Sequence, residues 1–157
     1  MPLVEVSEVV PAPVGKVWEA LNNVESYTRV MDHVHSLTVL ESRPDHRLIA
    51  WEVDLKGCLM KWIEREAIYP ERHRIEYQQT KGDLEQFEGY WQLEPLSDET
   101  CRLTLTVQFE IGIPMLADML NPVAERAIRN NSVKMITALT SLTTTPAAPA
   151  ENVLEAP

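Results

Sequence analysis

The run Trp62-Ile63-Glu64-Arg65-Glu66 places two carboxylates two residues apart behind a tryptophan, inside a strand-like stretch. Alternate side chains of an extended strand share a face. If Trp62 turns inward, Met60, Glu64 and Glu66 turn with it, while Lys61, Ile63 and Arg65 turn outward. A carboxyl lining an apolar interior holds its proton to a higher pH and becomes a general acid or base near neutrality. Glu66 is the first candidate for a catalytic residue and Glu64 the second. The competing reading has the strand twist and put one or both in ion pairs with Arg72 or Arg74, because charged residues on strands usually face water.

Other side chains converge on the same interior. Phe87, Gly89, Trp91 and Leu93 recur with a period of two inside Gly82–Pro95, and the glycine predicts a gap in the inward row next to a tryptophan, room for a ligand. Trp62 and Trp91 are expected to wall a cavity, with Trp51 as a third ring, although core packing explains any one of them. Tyr77 and Gln79 follow Ile75 on its inward face and offer a hydroxyl and an amide to ligand oxygens, or to structural partners. Val107 and Phe109 extend the lining from a later strand. Asn131 and Met135 extend it from a C-terminal helix, where Asn131 is polar in an otherwise apolar stripe. His35 is placed at the cavity mouth as a proton-transfer group, with a surface role as the alternative. The His33 and His35 pair lacks the third ligand a metal site needs, so no metal is expected.

These residues need a sheet and a helix to hold them. Residues 3–10 read as a strand, and Pro13 suits the first turn of a helix whose apolar face is Val14, Val17, Trp18 and Leu21. A short helical piece is expected over 25–31. Six strands follow, at about 36–42, 47–55, 58–68, 73–80, 85–94 and 101–111, joined by hairpin-length turns. A long helix then carries the stripe Leu116, Leu120, Val123, Ala127, Asn131, Met135, Ala138 and Leu142. Pro122 is expected to start its main part with Asn121 as cap, because an interior proline costs about 3 kcal/mol. The domain is read as residues 1–142, with 143–157 a disordered tail poor in large apolar groups.

The 157 residues suffice for one domain with its own core, and a net charge of −10 argues against nucleic acid or an anionic membrane as partner. Cys58 and Cys101 are expected to be buried free thiols. With neither a signal-peptide pattern nor a long apolar run, a cytoplasmic location without a membrane span is expected. The absence of a P-loop, a GxGxxG run or a nucleophile triad gives no reason to expect a cofactor.

Several stretches in this order resemble the START-like or Bet v 1-like helix-grip proteins, and among them the polyketide cyclase/dehydrase and coenzyme-Q-binding branch. They are Pro11-Ala12-Pro13 through Trp18, Trp62, Ile75-Glu76-Tyr77-Gln78-Gln79, Gly82 to Pro95, and Asn131-Ser132, and the likeness covers residues 3–142. It implies an α+β fold, a curved antiparallel sheet wrapped around a long C-terminal helix with an internal cavity. It also implies a bulky apolar ligand: a polyketide, quinone or lipid, with an acyl carrier protein as a further partner. The activity implied is ring closure or dehydration, and the alternative is a non-catalytic carrier. Cyclases of this branch resemble one another in a cavity arginine four residues past the middle-strand tryptophan, a last-strand histidine and a last-helix aspartate. The matching positions here hold Glu66, Val107 and Met135, which departs from that pattern.

Overall fold

The computed structural model describes residues 2–55, 57–112 and 114–144, the last segment without the side chains of 114–119. Strand β1 (Leu3–Val10) leads through Pro11-Ala12-Pro13 into helix α1 (Val14–Asn22). A turn of 3-10 helix at Val24–Ser26 and the short helix α2 (Tyr27–Val30) follow. The meander then runs β2 (Val34–Arg43), β3 (His46–Leu55), β4 (Cys58–Tyr69), β5 (Arg74–Gly82), β6 (Gln86–Pro95) and β7 (Cys101–Glu110). Helix α3 (Pro114–Thr144) closes the described chain.

The strands form one 7-stranded antiparallel sheet in the order β1-β7-β6-β5-β4-β3-β2, so β1 returns beside the last strand and each other neighbour is a hairpin partner. Alternation decides the inner face. On β3 it buries Arg47, Ile49, Trp51 and Val53, and on β7 Leu103, Leu105, Val107 and Phe109. Val17 and Leu21 of α1 close one end, and α3 crosses the concave face against β1, β7, β3 and α1. β2 carries two bulges, between Val34 and Ser36 and between Val39 and Glu41, which bend this edge of the sheet.

Helix α3 departs from expectation twice. It runs unbroken past Pro122, which lies inside it and not at its start. The proline removes one helical N–H, but the turns before it are propagated from a helix already anchored on the sheet, and the tertiary packing outweighs the local penalty. The buried face is also turned by about one residue from the expected stripe. Ile128, Ser132, Met135, Ile136, Leu139 and Thr143 are buried, whereas Leu120, Val123 and Leu142 are exposed. Two apolar stripes about 100° apart share this helix, and the one with both isoleucines wins. Ser132 and Thr143 are tolerated on it because their hydroxyls donate to the carbonyls of Ile128 and Leu139, four residues back. Thr143 and Thr144 therefore belong to the helix, and the rest of the expected tail lies outside the described residues. Cys101 is buried as expected, but Cys58, the first residue of β4 beside the hairpin turn, is exposed.

Gly89 has a different purpose from the expected ligand gap. Its space is taken by Tyr77, whose hydroxyl crosses to donate to the Thr106 carbonyl at 2.6 Å. A Cβ on Gly89 would overlap that carbonyl oxygen and stand 2.8 Å from the Tyr77 hydroxyl. Gly89→Ala is expected to destabilise the protein by about 3 kcal/mol, because the obstruction is backbone that cannot rotate away. Urea denaturation midpoints measure it, and a loss below about 1 kcal/mol would show that the sheet can relax there.

Candidate functional site

Between the inner face of the sheet and α3 lies a mostly apolar cavity. Trp51, Val53 and Leu55 of β3 line it with Met60, Trp62 and Glu64 of β4. Tyr77, Phe87, Trp91, Leu105 and Val107 continue the wall, and Ile128, Asn131, Ser132 and Met135 of α3 cover it. Of the residues expected at the site, Met60, Trp62, Glu64, Tyr77, Phe87, Trp91, Val107, Asn131 and Met135 meet on this one surface. Its volume, counted as space for the centres of water molecules, is about 40 Å³, room for a few waters.

The indoles are partly committed to each other. Trp51 and Trp62, directly paired across β3 and β4, stack with centroids 5.6 Å apart and planes 9° from parallel. Phe87 tilts onto Trp62 at 5.0 Å. The result is a flat aromatic wall rather than separate rings.

At one end of this wall sits a buried polar chain. The Trp62 Nε1–H donates to Glu64 Oε1 at 2.9 Å. Glu66 lies beside Glu64, close enough to act on it through its charge and a carboxyl–carboxyl hydrogen bond, and Trp51 Nε1 is buried without a hydrogen-bond partner. Glu66 faces Arg47, its cross-strand partner, which donates from Nε at 3.0 Å and approaches from Nη2 at 2.9 Å. Arg47 also donates to the Asn22 carbonyl and to its side-chain oxygen, which ties the chain to the end of α1. Burial, then the negative charge of Glu66 and the hydrogen bond to it, push the Glu64 carboxyl well above the ordinary carboxylate range, against the weaker pull of the Trp62 N–H. Glu64 thus stands at the cavity surface holding its proton to a higher pH than an ordinary carboxyl does.

Glu66 is inward, as expected, but it is spent on Arg47 and does not line the cavity. The arginines weighed as its partners, Arg72 and Arg74, are engaged elsewhere: Arg74 pairs with Glu76 and lies over the Tyr90 ring, and Arg72 lies over Tyr69. Gln79 turns its amide to the Leu84 carbonyl at 2.7 Å, and Phe109 is wholly buried behind the lining. His35 is exposed and lies away from the cavity. Its neighbour His33 is the buried one. Burial lowers the pKa of His33, with Lys134 adding to the effect. The residue that sequence reasoning overlooked is Arg47, and the signal was present: it occupies the same alternating row as Ile49, Trp51 and Val53.

Tyr77 is held by its bond to Thr106, and burial raises its pKa well above the usual phenol value, so it contributes bulk and not a proton. Ser132 is engaged by its own helix. Glu64, Asn131 and the unpartnered Trp51 N–H are then lining groups with hydrogen-bonding capacity to spare, and no cationic side chain lines this surface among the described residues.

Residues 10–136 match the family described as polyketide cyclase / dehydrase and lipid transport. The chain belongs to that family. Among curated proteins of similar sequence, the ribosome association toxin RatA of Escherichia coli K12 is 26% identical over 110 residues, covering 70% of this chain and 69% of RatA. Two solved structures superpose with TM-scores of 0.86 at 23% identity. One is TTHA0849 from Thermus thermophilus, matched over 94% of this chain and 100% of that one. The other is the Zhui aromatase/cyclase from a Streptomyces species, matched over 97% and 99%. At that identity the likeness establishes the fold alone, the helix-grip architecture expected from the sequence. Of the three residues expected at the arginine, histidine and aspartate positions named above, Glu66 is salt-bridged to Arg47 and Val107 and Met135 are apolar wall residues.

Proposed function

We propose that the protein binds a bulky, mostly apolar small molecule carrying carbonyl or hydroxyl oxygens and promotes its ring closure or dehydration, with Glu64 as the acid. The observation that carries this reading is the buried Glu64 carboxyl on an otherwise apolar wall, its pKa raised by burial and by the charge of Glu66, which Arg47 holds in place. A neutral carboxyl both donates and accepts. As an enol carbon attacks a carbonyl, the Glu64 O–H turns from Glu66 to the substrate and gives its proton to the forming alkoxide, and its other oxygen takes the proton released from the enol hydroxyl. In dehydration the same exchange runs through a leaving hydroxyl, which departs as water. The acid is regenerated each time. Glu66, assigned catalysis from the sequence, becomes a positioning residue that holds Glu64 in place.

A cavity of about 40 Å³ must widen to accept such a molecule, since drug-sized pockets span roughly 300–1,000 Å³. Met60, Met135 and Phe87 are the means: two unbranched thioethers with several rotamers, and a ring that is only half-buried. The acidic chain offers no broad basic footprint, which favours a small-molecule role over the ribosomal association in the names of its relatives. Delivery of the ligand by an acyl carrier protein, in the cytoplasm, belongs to the same proposal.

The second reading, a carrier for a quinone or lipid, is favoured by one observation, the lack of a cationic group on the described wall to steady an oxyanion. Turnover of a poly-β-ketone thioester separates the two. Glu64→Gln, which keeps the shape, is expected to lower kcat about 100-fold or more with ligand affinity within about threefold of the parent. Unchanged turnover removes Glu64 from catalysis. No turnover by the parent protein, with a quinone or lipid bound in native mass spectra, establishes the carrier.

A further inference from the structure

We propose that the groove adjoining the cavity is a second subsite, which takes a carboxylate at the end of the same ligand whose apolar body lies against the tryptophans. The inference rests on the small-molecule reading above and specifies its ligand as an amphipath. The groove is lined by His33, Asp54, Leu55, Ala127, Asn130, Asn131, Val133 and Lys134, and Leu55 and Asn131 line the cavity as well, so the two spaces meet at those side chains. Counted in the same way as the cavity, the groove is about 420 Å³ and opens to solvent.

Its chemistry is rich in donors. Lys134 pairs with no carboxylate among the described residues, and the amides of Asn130 and Asn131 are unengaged by any described residue. His33, only 7% exposed, has its Nε2 buried without a hydrogen-bond partner. A buried ring nitrogen left in this state costs free energy unless something supplies the missing bond. The acceptor facing the groove, Asp54, already takes the Gly57 N–H on Oδ1 at 2.7 Å. Asp54 keeps its second oxygen and each amide an acceptor oxygen, but the two amide NH2 groups and Lys134 can all donate to a ligand that brings oxygen lone pairs, and the unpaired lysine favours a charged one. Asn131, at the junction, can reach either space.

Displacement of the neutral dye N-phenyl-1-naphthylamine by decanoate and by methyl decanoate tests this. In the parent protein decanoate is expected to bind about tenfold more tightly than the ester, the value of one charge-assisted contact. Lys134→Met, a change at an exposed position, is expected to reduce that preference to within about threefold while leaving the ester's affinity unchanged. If both compounds displace the dye equally from the parent protein, the subsite is wrong and the apolar cavity stands. A preference for decanoate that survives Lys134→Met overturns the subsite too, because the anion is then held elsewhere. If the dye binds and neither compound displaces it, or the dye itself fails to bind, the cavity reading falls and the subsite with it.

Discussion

Arg47→Met is expected to destabilise the protein by about 3–5 kcal/mol, because it strands the Glu66 carboxylate inside the sheet with its cation removed. Arg47 and Glu66 are 6% and 3% exposed, so water cannot take the place of the guanidinium. The lost contacts reach beyond the pair, since the same arginine fastens the carbonyl and amide of Asn22 and so fixes how α1 closes the end of the sheet. The double variant Arg47→Met/Glu66→Met separates charge from packing. Replacing a buried ion pair with apolar side chains of similar volume is often neutral or stabilising, and the double variant is expected to recover most of the loss. Urea denaturation of the parent, both single variants and the double variant closes the cycle. A cost below about 1 kcal/mol for Arg47→Met alone would show that solvent reaches the pair.

That pair also shows what can and cannot be read from the residues alone. Period-two alternation fixes which face of each strand is buried, and on β4 it turns Met60, Trp62, Glu64 and Glu66 inward together, as the structure has them. Alternation does not state what stands opposite. The partner of Glu66 is set by the register of β3 on β4, which pairs Arg47 with Glu66 and Trp51 with Trp62, and register depends on the whole hairpin. The Gly89 gap differs from expectation for the same reason. An absent side chain marks a close approach, but whether a ligand or a neighbouring phenol makes that approach depends on the strand alongside, here β5 with Tyr77 opposite Gly89.

The helix illustrates a different limit. Pro122 and Asn121 read locally as a start, yet the helix continues through them, because burial of Ile128, Ile136 and Leu139 against the sheet outweighs one missing hydrogen bond. The stripe containing Val123 and Leu142 and the stripe containing Ile128 and Leu139 both read as a buried face on a helical wheel. Selection between them lies in the shape of the concave face, which no single segment encodes. His33 and His35 make the same point in miniature: extended backbone would give them one face, but His33 lies in the turn before β2 and His35 at the bulge between Val34 and Ser36, and the first is buried and the second exposed.

The stability of the protein is expected to fall with rising pH in a window set by Glu64. Its carboxyl is raised well above the 4.5 of an unperturbed glutamate, by burial first and by the Glu66 charge second. Below the unfolded value, native and unfolded chains both hold this proton and the group contributes no slope. Above it the unfolded chain releases the proton while the native chain keeps it, so the native state binds more protons and each rise in pH favours unfolding. The slope from this one group approaches about 1.4 kcal/mol per pH unit and levels off only once pH passes the raised native pKa. Glu64→Gln keeps the donor to Glu66 and removes the ionisation, so the difference in stability between variant and parent is expected to grow in the variant's favour from about pH 5 upward. Urea midpoints at half-unit intervals from about pH 4 to about pH 9 measure that difference, in which the titrations common to both proteins cancel. A difference that stays constant across the range would mean that Glu64 ionises as readily folded as unfolded, and the protonated acid on which the proposed chemistry depends would be lost with it.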